Sequence, residues 1–108
     1  MRLRIEYFDH NESFSASLPC EGVVEDKLQF TDSQGPWFLV KLDESLSYQG
    51  TNYSSVLLMS RWEGMPIGGE EPTSVFVLLV PQGVTPSPAH SYREFPHVAW
   101  AMAVTLNA

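Results

Sequence analysis

Val98-Ala99-Trp100-Ala101-Met102-Ala103-Val104-Thr105-Leu106 is the stretch on which the fold class turns. A large side chain at every even position alternates with alanine or threonine at every odd one, the period of an extended chain whose successive side chains point to opposite faces. A helix over the same residues would be apolar around its whole circumference and leave no face for water. A strand with one small-residue face can instead lie close against a neighbouring element. The alternation favours a strand, and with that choice almost nothing in the chain remains for helix.

Working back from this segment, Val75 to Val80 (VFVLLV) and Tyr53 to Trp62 (YSSVLLMSRW) are apolar at consecutive positions, Val56, Leu57, Leu58 and Met59 in the second. Strands apolar on both sides are covered on both faces, so these two are expected at the centre of the structure. Between them, Glu63 to Thr73 (EGMPIGGEEPT) is rich in Gly, Pro and acid and suits a wide hairpin connection. Near the amino terminus Leu3, Ile5 and Tyr7 alternate with Arg2, Arg4 and Glu6, and beyond Asp9-His10-Asn11 the apolar Phe14, Ala16 and Leu18 alternate with serines. These two segments read as a first hairpin.

From Gly22 to Phe30, Val24, Leu28 and Phe30 share one side, with Asp26 a misfit among them. Trp37 to Leu42 follows the turn formers Thr31 to Pro36 and completes a second hairpin. Asp43 to Asn52 (DESLSYQGTN) is polar with one glycine and reads as a surface loop. Ser87-Pro88 has the form of an N-cap followed by proline at the first helical position, so one or two helical turns are expected over Ala89 to Glu94. About seven short strands with at most one short helix define an all-β domain over residues 1–108, an antiparallel sandwich or, preferred here, a small barrel. Gly22, Gly64 and Gly83 stand beside strands, where a coiled sheet can bend.

Composition narrows the functional classes. Six Lys and Arg against 13 Asp and Glu give a formal net charge of −7, and the basic residues never cluster. Such a field repels a polyanion, so nucleic acid is excluded as an expected partner. No apolar run exceeds strand length, which predicts neither a leader peptide nor a membrane span and makes the cytoplasm the expected location. The single cysteine, Cys20, precludes an intrachain disulfide and a cysteine-based zinc site within one chain. It follows Pro19 and precedes Glu21, a neighbour that disfavours the thiolate.

Spacing gives no catalytic signature. His10, His90 and His97 form no His-x-His or His-x-x-x-His pair, so no metal is expected. The adjacent acids Glu25-Asp26, Asp43-Glu44 and Glu70-Glu71 would point to opposite faces of an extended chain and cannot flank one bond. No Gly-x-Ser-x-Gly turn is present, and Ile67-Gly68-Gly69-Glu70-Glu71 opens no helix that would cradle a phosphate. Neither a catalytic residue nor a cofactor is implied.

The residues with binding chemistry are Trp37, Tyr48, Tyr53, Arg61 and Trp62. Arg61-Trp62 ends an apolar strand with a guanidinium and a large ring, which suits gripping a carboxylate, stacking on an aromatic, or pairing with one of the many acids at a barrel rim. Trp37 reads either as an exposed anchor for a partner or as a cap on one end of the core. The leading expectation is a non-enzymatic module that binds a protein partner, or a copy of itself, through an acidic surface presenting Tyr48, Tyr53 and Trp62. The alternative is a small-ligand site in the barrel mouth, with Arg61 as polar anchor and Trp37, Trp62 or Trp100 as walls. An enzyme without a recognisable motif stands third.

Overall fold

The structure, a computed structural model, describes residues 1–8, 19–32, 35–48, 50–61, 67, 71–95 and 97–106, of which 7–8 and 97–99 are described by their backbone alone. Six strands, β1 (Arg2–Phe8), β2 (Cys20–Leu28), β3 (Trp37–Tyr48), β4 (Thr51–Ser60), β5 (Thr73–Val80) and β6 (His97–Leu106), form a closed antiparallel barrel in sequence order. Closure joins β6 back to β1 through Arg2↔Leu106, Leu3↔Thr105 and Ile5↔Ala103. The choice between barrel and sandwich is thereby settled for the barrel. The seventh strand expected from the sequence, at 14–18, lies outside the described residues; β1 pairs with β2, through Arg2↔Val23 to Ile5↔Cys20.

The large–small alternation of β6 has a direct structural meaning. Ala101 and Ala103 face the barrel interior and are fully buried, while the ring of Trp100 lies on the outer wall against Phe76. A ring of six strands encloses less space than the eight that just accommodate ordinary side chains, so small residues are needed on part of its inner wall. The rest of the interior is packed with Leu3, Ile5, Val40, Leu42, Leu46, Val56, Leu58, Ile67, Val75, Val77 and Leu79, all buried. Gly22 serves the same crowding: it pairs with Leu3 on one side and Leu42 on the other, and a Cβ there would come within 2.5 Å of the Lys41 carbonyl oxygen and 2.8 Å of Val40 Cγ1. Its role is close approach of β2 to β3. Gly83, by contrast, has φ +84° in the turn after β5, a region glycine occupies freely; Gly64 lies outside the described residues.

A second buried cluster lies outside the barrel. Leu57 and Leu78, cross-strand partners on the central strands, pack with Leu28, Phe30, Trp37, Val80 and Phe95 on the outer wall. This is why β4 and β5 are apolar on both faces, as their sequences predict.

Three expectations need correction. Val24 packs against the interior, whereas Leu28 and Phe30 belong to the outer cluster, because a bulge between Val24 and Asp26 inserts one extra residue and reverses the facing of everything after it. The same bulge removes the Asp26 misfit: Asp26 pairs with Leu39 and is exposed. The polar stretch from Asp43 onward is no free loop. β3 runs on to Tyr48 and β4 starts at Thr51, with Leu46↔Tyr53, Ser47↔Asn52 and Tyr48↔Thr51 pairing beyond a register shift. Leu46 is buried in the interior cluster and Gly50 takes the turn at φ +80°. Finally, the helical signal starts at Ser91 rather than Ser87. Ser91 caps a single 3₁₀ turn, Tyr92–Glu94, by accepting from the Arg93 N–H while Glu94 accepts from the Ser91 N–H. Ser87 instead closes a turn with His90, which Pro88 inside it permits.

Among the described residues no helix is long and apolar enough to cross a membrane.

Candidate functional site on the outer wall

Three partly exposed rings, Phe76, Tyr92 and Trp100, lie on the outer wall with buried Trp37. Phe76 on β5 and Trp100 on β6 are cross-strand partners and meet edge to face with centroids 4.7 Å apart. Phe76 also meets Trp37 of β3 edge-on at 5.6 Å, and Trp37 stacks on Tyr92 of the 3₁₀ turn at 6.0 Å with 22° between planes. The result is a row of four rings crossing the outer wall. Guanidiniums stand at its two ends: Arg61 lies over Trp100 at 4.8 Å and Arg93 over Tyr92 at 5.6 Å, and both arginines are exposed. The negative faces of the end rings attract these cations and hold them flat against the wall.

Local pairing explains the placement. The Arg61 N–H donates to the Ser74 carbonyl at 3.1 Å, continuing the β4–β5 ladder one step past Ser60↔Val75. Side chains alternate along β4, so with Val56 and Leu58 inside, Leu57 and Arg61 are outside. The Ser74 hydroxyl, beside this pair on β5, is buried with no hydrogen-bond partner among the described residues.

The residues singled out from sequence are thus only partly brought together. Arg61 does stack on an aromatic ring, but the ring is Trp100, and the guanidinium lies on the outer wall, not in the barrel mouth. Trp37 is 1% exposed and is a wall of the outer cluster, which corrects its reading as an exposed anchor: the 3₁₀ turn covers the face that its strand position leaves outward. Tyr48 and Tyr53 are half-buried against the interior cluster, held there by the continued β3–β4 pairing, so they are not presented by a polar loop. Trp62 lies outside the described residues, as does most of the acidic connection that follows it. Phe76, Trp100, Tyr92 and Arg93 complete the row, and of these only Trp100 is among the sequence candidates. The one signal that could have found Phe76 is its even-numbered place in Val75 to Val80, opposite Trp100 in an antiparallel hairpin.

Among the described residues, five exposed acids share another wall. Glu21, Glu25, Asp26, Asp43 and Glu44 are exposed on β2 and β3, and Arg2 bridges Glu21 and Asp43 across three strands. Exposed pairs of this kind are screened by water and salt and add little to stability. Chemically activated groups are scarce among the described residues. Burial against the interior, rather than the neighbouring carboxylate expected from sequence, pushes the Cys20 thiol up to about 11. His90 accepts a hydrogen bond at Nδ1 from the Ser87 N–H at 3.1 Å and packs edge-on against Phe95, a staple for its turn. His10 and the side chain of His97 lie outside the described residues, and among those that are described no three His, Cys, Asp or Glu groups converge on a common point as a metal requires.

No family model, no curated protein and no solved structure matches this chain. The chemistry of the outer wall is therefore the basis on which a function can be assigned.

Proposed function

We propose that this protein is a non-enzymatic binding module that engages a protein partner, or a second copy of itself, through the aromatic row on its outer wall. The single observation that carries the reading is the row's composition: two half-exposed rings, Phe76 and Trp100, continuous with buried Trp37 and flanked by the exposed Arg61. Aromatic and arginine side chains dominate the energetics of protein interfaces: rings remove large areas from water with little conformational entropy to lose, and the guanidinium combines stacking with several hydrogen-bond donors. Barrel closure adds a second support. With every strand paired on both sides over much of its length, little sheet edge remains for strand addition, which leaves side chains as the means of recognition.

A filled interior weighs against the small-ligand reading, since Leu3, Val56, Leu58, Val75 and Val77 occupy the space a ligand would take. The net charge of −7 keeps free copies apart at low salt, so a partner with a basic surface is favoured over self-association. The test is the solution mass by light scattering together with capture of proteins from cell extract on the immobilised chain. A stable dimer, or a specifically retained protein whose binding weakens in Arg61→Ala, supports the module. A monomer that retains nothing overturns it.

A further inference from the structure

The connection between β5 and β6 differs from the rest of the wall in how it is held. Its backbone-to-backbone hydrogen bonds among the described residues are all local: Val84 N–H to Pro81, His90 N–H to Ser87, Glu94 N–H to Ser91 and Phe95 N–H to Tyr92. The 3₁₀ turn carries its own capping box, which needs nothing from the barrel. The hydrogen bonds that tie the segment to other described elements stand near its two ends. Gln82 Nε2 donates to the Asn52 carbonyl at 3.3 Å at one end, while at the other Asp32 accepts from both the Ser91 hydroxyl and the Tyr92 N–H. Beneath it, Phe95 packs against Phe30 at 6.0 Å and Tyr92 stacks on Trp37, covering an outer face that includes Leu28, Leu57, Leu78 and Val80.

We propose that Gln82 to Phe95 is a strap that lifts from the barrel as one unit, with Asp32 as its latch. Lifting breaks no strand ladder, because the strap contributes none. It keeps the backbone bonds of His90, Glu94 and Phe95, which lie within the strap, and gives up the Val84–Pro81 bond across the pivot, the Gln82–Asn52 bond, the Tyr92–Trp37 and Phe95–Phe30 contacts with the burial of Pro86 and Phe95, and the paired bonds to Asp32. Gly83, at φ +84° with no atom within 4 Å of the point a Cβ would occupy, supplies an unobstructed pivot beside β5. The closed strap buries Trp37; the lifted strap exposes it together with the apolar outer face of β3, β4 and β5. Regions joined mainly by side chains open locally at lower free energy than the strand ladders beneath them.

Hydrogen exchange of the full chain, followed by mass spectrometry across a series of low urea concentrations, tests this. The amides of Val84, His90, Glu94 and Phe95 are expected to exchange with almost no urea dependence, while those of Val40 and Leu58 follow the steep dependence of global unfolding. Asp32→Asn keeps the shape of the latch and removes its charge; it should speed the strap amides at least tenfold and leave Val40 and Leu58 unchanged. Ser91→Ala removes one of the two donors and also the cap that accepts from the Arg93 N–H, so its effect on the latch is read at Val84 and His90, outside the capped turn, where it should act in the same direction. Strap and barrel amides that share one urea slope, or strap amides that neither variant alters, overturn the proposal.

Discussion

Gly22→Ala is the substitution that most sharply probes the packing of the barrel. The added methyl would sit 2.5 Å from the Lys41 carbonyl oxygen and 2.8 Å from Val40 Cγ1, where ordinary contact begins near 3.4 Å. Val40 alone could rotate, but the carbonyl belongs to a residue paired with Val23 on one side and Ser55 on the other. Relieving the clash therefore means prising β2 from β3. Overpacking of this kind costs about 1–3 kcal/mol, and a weakened ladder bond adds about 1 kcal/mol. Loss of glycine's freedom in the unfolded chain returns roughly 0.4–1 kcal/mol, leaving a net destabilisation of about 1–3.5 kcal/mol. For a domain of this size that lowers Tm by roughly 5–20 °C. Urea unfolding followed by tryptophan fluorescence, which responds to the buried Trp37, reads the change directly. Gly83→Ala is the control: it meets no atom within 4 Å and carries only the left-handed backbone cost of about 1–2 kcal/mol. A Gly22→Ala variant as stable as the parent would refute the account of a barrel closed by close approach at this point.

The Cys20 thiol should react with a disulfide reagent at pH 8 about 100-fold more slowly in the folded chain than in urea, the ratio expected of two pKa units, and equal rates would contradict its burial. Because that thiol is raised from 9.0 to about 11 in the fold, the stability present below pH 9 is expected to fall by up to about 3 kcal/mol as pH rises towards 11, and Cys20→Ser should flatten this slope in alkaline denaturation curves. Asp32 is held below its ordinary range, first by the Ser91 hydroxyl, and with Arg93 beside it, so its contribution is present above the usual carboxylate pKa and lost as pH falls through the lowered value. Acid below the usual carboxylate range should therefore lower the protection of the 3₁₀-turn amides, measured against intrinsic exchange at each pH, before the barrel melts, and simultaneous loss would count against the latch. Leu58→Ala, at the centre of the interior, should cost about 2–5 kcal/mol by chemical denaturation.

How far the fold can be read from sequence depends on the range of the signals. The alternation over Val98 to Leu106 and the double-sided apolarity of Val56 to Met59 and Val75 to Val80 are local, and they specify β6 and the two central strands. Bulges are different, since one extra residue reverses every later side chain. Asp26 is the visible trace of such a reversal, and its position alone does not reveal that Glu25 and Asp26 together oppose a single step of β3. The Asp43 to Asn52 stretch reads as a loop because its serines and acids outnumber Leu46 and Tyr48, yet those two side chains are the ones that reach the interior cluster.

The candidate site is legible only at one end. Arg61 announces itself as a charge closing an apolar strand, but its partner, Trp100, lies two strands away around the barrel, a neighbour fixed by topology and register. Trp37 leaves anchor and core cap both open for the converse reason. Its strand position faces outward, and the strap, stacking Tyr92 on it, helps to bury that face.

The most direct test of the binding reading is the affinity of a captured partner, or of a self-complex, for the parent chain and for Arg61→Ala, Trp100→Ala and a Glu21→Ala/Glu25→Ala control, each first shown to melt as a folded barrel. An interface centred on the row predicts that each of the first two weakens binding about 30-fold, the effect of losing one hot-spot side chain worth about 2 kcal/mol, with the control much less affected. Parent-like affinity in both Arg61→Ala and Trp100→Ala, with loss in the acidic control, would contradict the account and move the interface to the wall of β2 and β3.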